Sequence, residues 1–136
     1  MVSNEISELA KRIFRITPSI VHLGLIDLEG HVLIDQSAAS SQPFEPDADR
    51  VIYYYQVALR RSRREHFNDA YGQTNYVHIL REKIQQLILY LPLITIYITI
   101  DKDVTPDEIV KIVEKIKSID KEFINKAIMS TNYFAK

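Results

Sequence analysis

The chain has 136 residues, 46% of them hydrophobic and 26% charged, with a formal net charge of −1. That length suits about one domain, and the composition is too apolar for disorder and too balanced for a global pull toward nucleic acid or anionic membrane. There is no cysteine, which excludes disulfides, thiolate metal sites, iron–sulfur clusters and cysteine nucleophiles, and fits a reducing cytoplasm.

The opening residues 1–11 are polar and lack the basic start and apolar run of a signal peptide. The most apolar stretch, residues 87–100, is interrupted by Pro92 and several polar positions. It falls short of the roughly 20 residues that span a bilayer, so a cytoplasmic protein away from the membrane is expected. Ile6, Leu9, Ala10, Ile13 and Phe14 recur on one face of a helical period. Ser3 is a candidate cap for that first helix, and Thr17-Pro18 ends it because proline disfavours a helical residue before it.

Residues 19–28 are apolar at nearly every position, as in a strand covered on both faces. Glu29-Gly30 supplies a turn, residues 31–35 return as the second strand of a hairpin, and residues 36–46 read as an exposed loop. A second helix starts at Asp47 or Asp49 and is expected to run to Tyr71-Gly72. Its buried stripe is expected at Val51, Tyr54, Tyr55, Ala58, Leu59 and Ser62, with Tyr53, Arg60 and Arg64 opposite. Three strands follow, over residues 75–81, 84–91 and 94–100; in the last, isoleucines alternate with Thr95, Tyr97 and Thr99. Thr105-Pro106-Asp107-Glu108 combines an N-cap, a first-turn proline and a capping-box glutamate. The helix it opens buries Ile109, Ile112, Val113, Ile116 and Ile119 and extends toward Phe123. Residues 129–136 are expected to form a loose tail, leaving one domain over residues 1–128.

The element order is α-β-β-α-β-β-β-α. Five strands make one mostly antiparallel sheet, and three amphipathic helices suffice to cover both faces. The fold class is a three-layer α/β/α sandwich.

That order resembles the roadblock/longin superfamily, in the same class as profilin-like folds. The run from Ile20 through Gly24, Asp27 and Gly30 to Leu33 is similar to its opening hairpin. A resemblance over nearly the whole chain is to an uncharacterised family of small proteins from ammonia-oxidising archaea. It rests on the hairpin at residues 23–30, the Tyr/Arg-rich helix at 53–64, the strand entry at 72–76 and the helix entry at 101–109. This likeness implies a fold and a lineage and carries no activity. The roadblock resemblance implies homodimers, with partners that are often small GTPases or other signalling proteins.

Arg50, Arg60, Arg61, Arg63 and Arg64 fall on one predicted helix with no acid between Arg50 and Glu65. Guanidinium forks suit phosphate or carboxylate, so Arg60, Arg61, Arg63 and Arg64, with Tyr53 as an outward aromatic, form a candidate site for an anionic partner. A solvated, acid-paired face is the plainer reading. His22, Gly24 and Tyr55 mark a candidate small-ligand pocket between sheet and central helix, as in PAS-type sensors. The four histidines lack metal-ligand spacing, so no metal is expected. Asp101, Asp103, Asp107 and Glu108 read as helix-entry charges rather than a calcium loop. The three glycines form no phosphate-cradling loop, and no nucleophile–base set is found. The expected protein is a non-enzymatic, homodimeric interaction module with a protein partner and no cofactor. The alternatives are a small-ligand sensor, then nucleic-acid or polyanion binding through the arginines.

Overall fold

A computed structural model describes residues 4–39 and 41–130. The elements are α1 (Asn4–Phe14), β1 (Ile20–Ile26), β2 (Val32–Ser37), α2 (Asp47–Glu65), α3 (Asn68–Tyr71), β3 (Val77–Leu80), β4 (Ile84–Tyr90), β5 (Thr95–Asp101), α4 (Pro106–Lys117) and α5 (Lys121–Met129). The five strands form one sheet in the order β2-β1-β5-β4-β3, and every pairing is antiparallel. β5 is central because its alternating isoleucines and Thr/Tyr positions serve both faces.

The register explains the two layers of core. Leu23, Ile98 and Leu87 lie side by side, as do Leu25, Ile96 and Leu89. The middle of this face is apolar and packs against Ile6, Leu9 and Ile13 of α1, Ile109, Ile112 and Ile116 of α4, and Ile124 and Ile128 of α5, while buried Gln85 on the same face is satisfied by His78 and the Val104 carbonyl. The opposite face carries His22, Gly24, Ile26, Gln86, Ile88, Tyr97 and Thr99, and its smaller apolar cluster joins Ile26, Ile88 and Tyr97 to Tyr54 and Val57 of α2. β1 is buried on both sides, as its continuous apolar run requires.

Topology places α2. β2 and β3 are opposite edges of the sheet, so the helix between them must cross the whole face. Nineteen helical residues span about 28 Å, more than the roughly 19 Å between edge strands of a five-stranded sheet.

The β1–β2 turn is tied by Asp27, whose Oδ1 accepts from the backbone N–H of Glu29 at 2.9 Å and of His31 at 2.8 Å. Gly30 sits there at φ 96°, a conformation open to glycine at little cost. Thr105 caps α4 as its sequence demands: Oγ1 accepts from the Glu108 N–H and donates to the Glu108 carboxylate.

Several expectations are corrected. The second helix stops at Glu65, and after a break at His66-Phe67 a separate turn, α3, reaches Tyr71. The last helix divides at residues 118–120, where Asp120 Oδ1 caps α5 by accepting from the Glu122 N–H at 3.1 Å. Phe123 thus belongs to α5, and its ring lies under the Arg12 guanidinium of α1 at 3.9 Å. Met129, placed in the tail by sequence, closes α5 instead. The cap assigned to Ser3 and the tail residues 131–136 lie outside the described residues.

The buried stripe of α2 is also rotated by about one residue. Arg50, Tyr54, Val57, Ala58 and Arg61 face the sheet, while Val51, Tyr55, Leu59 and Ser62 are exposed. Hydrophobicity favoured the wrong phase because two of the inward residues are arginines, drawn inside by tertiary partners: Asp35 for Arg50, and the Leu91 and Ile94 carbonyls for Arg61.

Candidate functional site

The inner side of α2 is closed by a polar network. Tyr54 lies over Gly24 so tightly that a Cβ built there would meet its ring at 2.7 Å. The Tyr54 hydroxyl donates to Asp35 Oδ1 at 2.7 Å, and His22 Nε2 reaches the same oxygen at 2.6 Å. An ionised carboxylate only accepts, so Nε2 carries the proton; Nδ1 lies 2.8 Å from Ser37 Oγ. Arg50 grips both Asp35 oxygens, Nε at 2.8 Å and Nη2 at 2.7 Å, and Nη2 also reaches Asp47 at 2.7 Å. Burial opposes the charge on Asp35, but the hydrogen bonds from Arg50, Tyr54 and His22 outweigh it and hold the carboxyl well below the usual range. Burial, then the Asp35 hydrogen bond, pushes the Tyr54 phenol up, so it remains a donor.

This network corrects the proposed pocket at His22, Gly24 and Tyr55. The space is filled by the Tyr54 ring, and His22 is only 3% exposed. Tyr55 stands on the outer side of α2, against the turn at Gly30, and is 54% exposed.

The arginine cluster separates in the same way. Arg61 is buried: its guanidinium donates to the carbonyls of Leu91 at 2.6 Å and Ile94 at 2.9 Å, to Thr95 Oγ1 at 3.1 Å and to Glu65 at 3.2 Å. It clamps the β4–β5 turn beneath α2 and is not available to an anionic partner, which corrects its place in that candidate site. Arg60, Arg63 and Arg64 remain exposed. Arg60 lies 6.0 Å from the Tyr53 ring centre, and Arg64 donates to the Tyr90 hydroxyl at 2.6 Å. Tyr53 does not stand free in solvent; it is half-buried, edge-on to Tyr97 at 5.3 Å.

The outer side of α2 supplies what sequence reading missed. Val51, Ile52, Tyr55 and Leu59 are 54%, 58%, 54% and 44% exposed, an apolar stripe where a solvated helix should be polar. Elsewhere, β3 pairs only with β4 and forms a sheet edge, with Leu80 exposed on it. Between α2 and the β3–β4 hairpin runs an open groove of about 800 Å³, lined by buried Gln86 and Tyr97, half-buried Tyr53 and exposed Phe44 and Leu80. The missed signal was Ile52, a large apolar residue off the expected stripe. Among the described residues no cluster of three His, Asp or Glu side chains is placed to hold a metal ion, and no helix is long and apolar enough to cross a membrane.

No protein-family model matches the chain, and no curated protein matches it in sequence. Solved structures do match in shape. A structure of MglB in a tetrameric arrangement superposes with a TM-score of 0.74 at 11% identity, covering 93% of this chain and 95% of that one. The gliding protein MglB from Thermus thermophilus gives 0.73 at 10% identity, covering 93% and 95%. The roadblock/LC7 domain from Streptomyces avermitilis gives 0.63 at 8% identity, covering 90% and 97%. Identities this low speak to architecture alone, and the architecture of this chain is the roadblock/longin-like fold.

Proposed function

We propose that the chain is a non-enzymatic interaction module that works as a homodimer and engages a protein partner, such as a small GTPase or another signalling protein. The observation that carries this is the outer face of α2: four large apolar side chains, exposed on a helix whose other face is already packed. An exposed apolar stripe suits a two-fold pairing, in which each copy offers the same patch to the other, and the β3 edge is free to add strand pairing. The roadblock resemblance supports a dimer and the class of partner. Arg60, Arg63 and Arg64 extend that surface as a cationic rim for an acidic partner face. The archaeal lineage belongs to the same proposal and rests on the sequence resemblance; the cytoplasmic setting rests on the lack of cysteine and of a signal-peptide pattern.

Light scattering across a wide concentration range tests it. The wild type should weigh as a dimer at both low and moderate salt, because an apolar interface is little screened. Ile52→Asp with Leu59→Asp should weigh as a folded monomer. A wild-type monomer at all concentrations, or a double variant that stays dimeric, overturns the proposal.

A further inference from the structure

We propose that the hollow between the α4–α5 elbow and the β4–β5 turn binds a small organic anion: an apolar body carrying one carboxylate. This site lies apart from the apolar stripe of α2 and does not depend on the dimer; only Arg64, near the end of α2, borders both.

The hollow is about 290 Å³, near the lower end of the roughly 300–1,000 Å³ typical of small-molecule sites. Its apolar lining is Leu91 and Pro92 from the β4–β5 turn and Ile116, Ile119 and Ile124 from the elbow. Ile116 and Ile124 are core residues, so the wall they form is rigid.

Its polar lining is one-signed. Lys117 and Lys121 flank it with Asn75, Asn125 and Thr74, and no acid lines it. Neither lysine has an acidic partner among the described residues. Lys117 donates to the Asn75 side-chain oxygen, which engages one of its three N–H groups and leaves the Asn75 amide N–H₂ as a donor. Tyr90, also in the lining, takes its hydroxyl hydrogen bond from Arg64. Arg64 and Thr74 in turn line an adjoining hollow with Phe67 and Tyr71, again without an acid.

Three cations and no carboxylate around two adjoining hollows is not a matter of composition, since the chain holds 18 acids against 17 Lys and Arg. The larger groove beside α2, by contrast, mixes Glu45, Asp49 and Glu82 with Arg81 and Lys83. An anionic head set between Lys117 and Lys121 would meet charge-assisted donors, and its apolar body would cover Leu91, Pro92 and Ile119, the accessible part of a wall backed by buried Ile116 and Ile124. Charge alone would not use the wall, and an apolar body alone would leave the ammonium groups without a counter-ion.

Three probes separate these contributions: octanoate below its micelle concentration, octan-1-ol, and inorganic phosphate. Each is titrated into the isotope-labelled full chain at fixed salt and followed by amide NMR shifts. Octanoate should shift residues 73–75, 90–92 and 116–125 saturably, and bind at least about tenfold more tightly than either other probe. Lys117→Gln with Lys121→Gln should lose about tenfold in octanoate affinity, with an unchanged melting temperature showing that it folds. Lys111→Gln with Lys115→Gln, the same charge change elsewhere on α4, should bind as the wild type does. Equal binding of octan-1-ol or of phosphate, shifts centred on α2, an unaffected Lys117/Lys121 variant, or no saturable shift with octanoate would each overturn the proposal.

Discussion

Arg61 and Arg63 are two residues apart and chemically identical, yet the structure gives them different work. Arg61 supplies charged donors to two carbonyls that end β4 and begin the approach to β5, and each such bond contributes about 1.5–3 kcal/mol. Arg61→Ala should lower unfolding stability by about 3 kcal/mol, read as a fall in urea midpoint. Arg63→Ala, at an exposed position, should change it by less than about 0.5 kcal/mol. Equal effects would mean that the turn is not clamped from α2. Gly24 has a similarly specific role: its missing side chain is what lets the Tyr54 hydroxyl descend to Asp35. Nothing in the residues flanking Gly24 announces that contact, because Tyr54 lies thirty positions further along the chain.

At the scale of elements, β3 is the least secured strand, four residues long with one hydrogen-bonded neighbour. β1 and β5 are paired on both sides. Amide exchange should therefore be slow throughout β1 and β5, and in a monomer fastest in β3. If β3 edges pair across the proposed dimer, β3 should be protected in the wild type and lose that protection in the Ile52→Asp, Leu59→Asp variant. Rapid β3 exchange in both would place the interface on α2 alone. The helices show how much of an element is local. The α4 start is written in four consecutive residues, and the structure reproduces it. The break after Ser118 is also local, since Asp120 caps the next helix, but the apolar spacing running on to Phe123 hid it. The phase of α2 is not local, and periodicity alone chose the wrong face.

Over the whole molecule, the Asp35 network ties β1, β2 and α2 together through His22, Arg50 and Tyr54. Asp35 titrates well below the usual carboxylate range when folded, for the balance of burial and hydrogen bonds given above, and near 3.9 when unfolded. The unfolded chain therefore takes up the proton first as pH falls. The stability Asp35 contributes is full above about pH 5 and is lost progressively below it. Urea midpoints from pH 6 down to pH 3 should fall for the wild type and fall less steeply for Asp35→Asn. That variant should also be weaker at pH 6, because it leaves the Arg50 charge buried without its main partner. Parallel slopes would remove Asp35 from the acid response.

The sequence by itself determined the α/β class, the five strands, the β1–β2 turn and the α4 cap, since each depends on neighbours within a few positions or on a repeating period. It also determined that β1 needed cover on both faces. The tertiary structure decided which face of α2 is buried, which arginines are free, and that the space near His22 and Gly24 is filled. Those outcomes depend on partners far apart in the chain: Asp35 for Arg50 and Tyr54, the Leu91 and Ile94 carbonyls for Arg61. A charged side chain is costly to bury until such partners are in place, so only the assembled sheet could show that two arginines belong inside and four apolar side chains outside.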